Sequence, residues 1–294
     1  MAKEITPVVE SFWLAQQLEK NDGTICLLDG SWHMPFSKRN AWQEYYRRHI
    51  PYALFFNIEE CCDKNSNLPF MLPTAEEFET YVGSLGISNE THVVIYDNHA
   101  GLGMFSSPRI WWMFRAFGHE KVSVLDGGFP RWEKDGFTET DEIPKVGPKT
   151  FKANYRPDLV RTYEDIERNL TSNEFVLVDA RPSGRFCGTS PEPRPDIKGG
   201  HVPGAISIPF SSLLLPQRKA LKMPETNERN MKEAGVDMER SIVTMCGDGL
   251  NSAFISLVCH QMGKTDVAIY DGSWTEYYAR APFDKKEDVP ARAF

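Results

Sequence analysis

The chain has 294 residues, 41% apolar and 25% charged, the make-up of an ordinary globular protein with length for two domains of about 150 residues each. Lys and Arg total 33 against 41 Asp and Glu, a formal net charge of −8, which argues against a nucleic-acid or anionic-membrane partner. No apolar run approaches the roughly 20 residues of a transmembrane helix.

In chain order, the opening segment MAKEITPVVESFWLAQQLEK shows neither a basic-then-apolar signal pattern nor an Arg-rich transit pattern. Residues 25–28, 93–96 and 122–125 are short apolar runs between polar turns and predict strands covered on both faces. Thr74-Ala75-Glu76-Glu77 has the capping-box pattern of a helix start, and 108–117 predicts a helix after the central strand. From 138 to 157 the chain bears Pro and Lys without sustained periodicity and predicts a linker. Beyond it, 175–178, 241–244 and 267–270 repeat the strand pattern, and 252–262 repeats the helix. The charged run Asp284-Lys285-Lys286-Glu287-Asp288 predicts solvated surface. This alternation predicts an α/β fold in which each half is a mainly parallel sheet with helices on both faces. Sites in such sheets form beyond the carboxyl ends of strands, here after Tyr96 and Met245.

The halves are copies. Leu27-Leu28-Asp29 returns as Leu177-Val178-Asp179, and His49-Ile50-Pro51 as His201-Val202-Pro203. Val94-Ile95-Tyr96-Asp97 returns as Val243-Thr244-Met245-Cys246, and Val124-Leu125-Asp126-Gly127-Gly128 as Ile269-Tyr270-Asp271-Gly272-Ser273. Four ordered landmarks at a nearly constant offset define a first domain at 8–138, a linker at 139–158 and a second domain at 159–284.

Six cysteines, at 26, 61, 62, 187, 246 and 259, contain no CxxC pair and have few histidines nearby, so no metal site is expected. With no leader pattern they imply free thiols in a reducing, cytoplasmic compartment, a mitochondrial one being the alternative. Cys246 opens Cys246-Gly247-Asp248-Gly249-Leu250-Asn251-Ser252, between a predicted strand and a predicted helix. Glycines let such a loop curl so that consecutive amides form an anion nest, and the following helix adds partial positive charge. Both effects predict a lowered thiol pKa and a reactive thiolate. Arg185 and Arg194 lie on a Pro/Gly-rich loop, where arginines are by default solvated and ion-paired; the alternative is that their guanidinium forks clamp a planar oxyanion.

These motifs resemble the rhodanese family. Tyr270-Asp271-Gly272-Ser273-Trp274-Thr275-Glu276-Tyr277 is similar to its C-terminal signature, and Gly200-His201-Val202-Pro203-Gly204-Ala205 to its N-terminal one. The resemblance runs from about residue 8 to about residue 283. It implies a tandem-domain sulfurtransferase, and the Cys-Gly-x-Gly loop resembles the 3-mercaptopyruvate sulfurtransferase branch. It also implies Cys246 as the catalytic residue, carrying a persulfide. Asp248 stands where the family has a Ser; as a carboxylate it would carry the proton itself and would also raise the Cys246 thiol pKa. Arg185, Arg194, Gly247, Gly249, Leu250 and Asn251 would bind the small-molecule sulfur donor. A thiol, such as a thioredoxin-like protein, or cyanide would accept the sulfur, and no cofactor is implied. Thiosulfate is the alternative donor, which Asp248 would repel, and a sulfur-handling protein without turnover is a further alternative. Cysteine phosphatases share this fold but need an Arg closing the loop, and none occurs through Ser252. Asp97 stands at the position of Cys246 in the first half and cannot act as a sulfur nucleophile. His49-Ile50-Pro51-Tyr52 also departs from the usual His-x-Pro-Gly. The family's Ser–His–acid relay has Asp248 for the Ser, Phe70 for the His and Glu59 for the acid. His99 reads as a solvent-exposed loop histidine; facing the cleft it would supply the missing imidazole.

Overall fold

The computed structural model describes residues 5–20, 22–215 and 219–287. They cluster into two compact units. The first holds the described residues up to Lys64, Leu72–Arg156 and those within Leu214–Leu221; the second holds Asn65–Met71, Pro157–Leu213 and the described residues from Lys222 on.

The first unit is built on a five-stranded parallel sheet. Its strands are β1 (Val8–Val9), β2 (Ile25–Asp29), β3 (Leu54–Phe55), β4 (His92–Tyr96) and β5 (Val122–Leu125), in the spatial order β1-β5-β4-β2-β3. Its helices are α1 (Ser11–Lys20), α2 (Ala41–Arg47), α3 (Ala75–Ser84), α4 (Ser107–Ala116) and α5 (Gly128–Lys134). Both alternating sets of β4 side chains from Val93 to Tyr96 are buried, so the sheet is covered on both faces. Leu14, Tyr45, Phe129 and Trp132 pack with Val94 and Tyr96 in one core. Helix α4, buried along its whole length, packs against β4 and β5. The capping box at Thr74 forms as expected and starts α3.

The second unit repeats the plan. Strands β6 (Val160–Arg161), β7 (Phe175–Asp179) and β8 (Ile206–Ser207) precede a small antiparallel hairpin, β9 (Leu214–Leu215) and β10 (Ala220–Leu221), which groups with the first unit. Strands β11 (Ser241–Met245) and β12 (Ala268–Tyr270) complete a parallel sheet of order β6-β12-β11-β7-β8. The helices are α6 (Tyr163–Ser172), α7 (Ser183–Phe186), α8 (Pro224–Glu233), α9 (Ser252–Gln261) and α10 (Ser273–Arg280).

Strands β2, β7 and β11 each run one residue further than the apolar pattern indicated. Their last residues are held in the ladder, Asp29 opposite Tyr96 and Met245 opposite Asp179. Residues 139–156 lie along the first unit. Thr140 bridges His49, Phe151 is buried beside Phe78 and Phe114, and Arg156 N donates to the Ala116 carbonyl. In the run 284–288, Lys285 pairs with Glu167 at 3.2 Å, and Asp288 lies outside the described residues. Among the described residues no helix is long and apolar enough to cross a membrane.

Candidate active site

Strand β11 delivers Cys246 to its carboxyl end, and α9 starts six residues later. The thiol is 1% exposed. The amides of Asp248, Ser252 and Asn251 hydrogen-bond its sulfur, forming the expected nest. The expected lowering of its pKa does not follow. Burial strips hydration from the thiolate and pushes the thiol up, the Asp248 carboxylate adds to this, and together they outweigh the amides. Sγ and Asp248 Oδ1 are 3.9 Å apart.

The two loop glycines serve different needs. Gly249 has φ +78°, the left-handed region, and its carbonyl accepts from Ser252 Oγ at 3.0 Å. Gly247 leaves room for Arg185: a Cβ there would lie 2.6 Å from Nη2, so the end of the arginine side chain would have to shift. Leu250 is buried, and Asn251 has a buried Oδ1 without a hydrogen-bond partner.

Arg185, on α7, is thus brought beside the Cys246 loop, though not as a free cation. Glu192 Oε2 accepts from its Nε at 2.8 Å and from its Nη2. Glu192 Oε1 accepts from Arg181 Nη1 at 2.8 Å. Arg181, 1% exposed, is chelated by Asp179, donates to the Gly200 carbonyl and lies over the Trp274 ring at 4.6 Å. Arg194 is exposed and makes no ion pair among the described residues. Sequence reasoning missed Arg181 and Glu192. The signal available was Arg181 two residues after a strand-end aspartate, with Glu192 close by in the same loop.

It also missed the grip of α10. Ser273 Oγ accepts from Cys246 N at 3.1 Å and donates to the Tyr270 carbonyl at 2.9 Å. Trp274 N donates to the Cys246 carbonyl, and Thr275 donates to the Gly247 carbonyl through both N and Oγ1. Ser273 has φ +51° where its repeat partner Gly128 has φ +55°. A side chain thus stands in a glycine conformation, and its hydroxyl holds the Cys246 backbone.

The first unit fills the equivalent place with a carboxylate. Asp97 Oδ2 accepts from Phe105 N, Ser106 N, Ser107 N and Ser107 Oγ at 2.7–3.0 Å, and Oδ1 accepts from His99 N at 3.1 Å. Glu59 accepts from Trp32 Nε1 at 2.9 Å. Phe70 is buried with φ +60°. His99, expected to be exposed, is partly buried. Its Nδ1 accepts from Leu102 N, its ring lies 4.8 Å from Phe105, and burial keeps its pKa below the usual histidine value. All six cysteines are free. Among the described residues no group of three or more His, Cys, Asp or Glu could hold a metal ion.

The model of the rhodanese-like domain matches the chain twice, at 13–135 and 162–280. Human 3-mercaptopyruvate sulfurtransferase is 44% identical over 284 residues, covering 96% of this chain and 94% of that protein. Bovine thiosulfate sulfurtransferase is 45% identical over 278 residues, covering 94% of this chain and 93% of that protein. The crystal structure of SseA from Escherichia coli, described as a 3-mercaptopyruvate sulfotransferase with the rhodanese fold, superimposes with a TM-score of 0.81 at 34% identity, covering 92% of this chain and 99% of that one. With two copies of the fold and one buried cysteine in an amide nest, the chain belongs to the rhodanese family and is a two-domain sulfurtransferase.

Proposed function

We propose that the chain takes sulfur from 3-mercaptopyruvate on Cys246 and passes it to a thiol. The Cys246 thiolate attacks the donor's sulfur and the carbon–sulfur bond breaks. The electron pair leaves on carbon as pyruvate enolate, which takes a proton to become pyruvate, and Cys246 is left as a persulfide held by the loop amides. The Arg185 fork, with Arg194 from the same loop, binds the donor's carboxylate and keto oxygen. Gly247, Gly249, Leu250 and Asn251 shape the floor, and Asp248 carries the proton. A thioredoxin-like protein, a small thiol or cyanide then removes the outer sulfur. The first domain, 8–138, has a carboxylate where a nucleophile is required and does not react; the chemistry belongs to 159–284. Six free thiols suit a reducing compartment, in our reading the cytoplasm.

The observation that carries the choice of donor is Asp248, 3.9 Å from the sulfur in a loop without a cation. A dianion such as thiosulfate is repelled there more than the singly charged mercaptopyruvate. The test is intact-protein mass spectrometry after exposure to each donor, with Cys246→Ser as control. Mercaptopyruvate should add one sulfur to Cys246 with release of pyruvate, faster than thiosulfate does. No added sulfur on a folded protein would sink the proposal.

A further inference from the structure

The charged side chains of the second unit form a chain that starts and ends at the nucleophile's strand and loop. Asp179 lies opposite Met245 in the β7–β11 ladder, one residue before Cys246. It chelates Arg181, Arg181 shares Glu192, Glu192 holds Arg185, and the Arg185 guanidinium occupies the space above Gly247, one residue after Cys246. Two carboxylates and two guanidiniums are balanced, and Asp179, Arg181 and Glu192 are buried. Arg185 is the partly exposed member, its side chain 19% accessible. Glu192 uses one oxygen, Oε2, for both Nε and Nη2 of Arg185. Among the described residues Nη1 has no hydrogen-bond partner, and the Nη1/Nη2 edge is the one that takes a carboxylate end-on.

We infer that Glu192 is a positioning residue for sulfur-donor binding: it fixes the Arg185 guanidinium over Gly247 with its terminal edge open toward the donor's carboxylate. The inference rests on the mercaptopyruvate reading above. It also opposes simple charge counting. Removing the Glu192 charge makes the site more positive, so electrostatics alone predicts tighter binding of an anionic donor. Positioning predicts weaker binding, because a fork held at the wrong angle loses its bidentate contact.

The experiment measures KM and kcat for mercaptopyruvate in Glu192→Gln and Glu192→Asp. Asp keeps the charge but is one methylene too short to reach both arginines, and it serves as the deciding variant should Gln disrupt the buried network and fail to fold. In the folded variant KM should rise about tenfold with kcat within about twofold of the parent. Adding Arg185→Ala to Glu192→Gln should raise KM no further than Arg185→Ala alone, because both act through one contact. A KM that is unchanged or falls overturns the inference. A donor-independent readout separates its failure from that of the donor reading. The ratio of alkylation rates of Cys246 by iodoacetate and iodoacetamide should fall in the Glu192 variants, and a ratio that holds or rises overturns the inference whichever compound supplies sulfur.

Discussion

Cys246 is acted on by opposed influences, each traceable to a named group. Burial and the Asp248 carboxylate push its pKa up, while the amides of Asp248, Ser252 and Asn251 pull it down. Asp248→Asn keeps the size and the backbone amide but removes the charge. The sign is definite: a negative neighbour disfavours thiolate, so its loss lowers the thiol pKa and enlarges the thiolate fraction at any pH below it. The rising limb of the pH–rate profile for persulfide formation should move toward acid. A limb that stays in place would show that the sulfur does not feel the carboxylate. Ser273 separates conformational strain from hydrogen bonding. Ser273→Ala keeps the unfavourable φ and loses the bond to Cys246 N, whereas Ser273→Gly loses the bond but relieves the backbone. A left-handed non-glycine residue costs about 1 kcal/mol, so the Gly variant should be the more stable of the two by about that amount in urea denaturation. Both should form persulfide more slowly than the parent, since the nucleophile's backbone is freed equally. Equal stability of the two variants would mean that the strain is not felt.

Comparison of matching turns extends this reasoning to whole elements. The turn after Pro203 has Gly204 at φ +78°, and its counterpart after Pro51 has Tyr52 at φ +67°. Tyr52 is 54% exposed, so its ring recovers little of the backbone cost. Tyr52→Gly should therefore stabilise the chain by about 1 kcal/mol, read as a raised midpoint in thermal unfolding, and a lowered midpoint would show that the side chain, which lines one pocket with Trp132 and Phe137, contributes more than the strain costs. The departure from His-x-Pro-Gly was visible in the sequence, but the strain it implies needed the dihedral. The same boundary runs through the rest of the molecule. Strands β4, β7 and β11 were legible because a covered parallel strand is a short continuous apolar run, and α3 because its capping box is local. The Cys246 loop was legible because glycines and a cysteine between strand and helix have a local meaning. The roles of Glu192 and Ser273 were not, since each depends on partners remote in sequence or on a backbone angle. The upward push of Asp248 on the Cys246 thiol was legible in the loop, but the sign of the net shift was not, for a related reason. Amides and helix ends can be counted along a chain, whereas desolvation depends on everything that packs around the sulfur.

Taken as a whole, the molecule is one topology used twice, with sheet orders and central registers that correspond strand for strand. The copies differ in how they treat the charge at the carboxyl end of the central strand. In the second, buried Asp179 has Arg181, and the chain of ion pairs continues through Glu192 to Arg185 beside the cysteine loop. In the first, Ser31 stands where Arg181 would be, and burial pushes the Asp29 carboxyl up to about 6. Beyond it, Asp97 gathers five hydrogen bonds in a loop four residues longer than that of Cys246. The first unit's cradle is closed over its own carboxylate, and Ser31 leaves it without the matching start of the ion-pair chain that places Arg185 in the second. On the proposed reading, catalysis by this fold needs more than a cysteine at the right register. The chain carrying Asp97→Cys together with Cys246→Ser should take up no sulfur from mercaptopyruvate by mass spectrometry. It should also be less stable than Cys246→Ser alone by about 3 kcal/mol or more, because a single sulfur cannot satisfy the buried amides that two carboxylate oxygens held. One sulfur gained at position 97 would show that the nucleophile alone confers the activity, and that the ion-pair chain and the helix grip of the second unit only tune it.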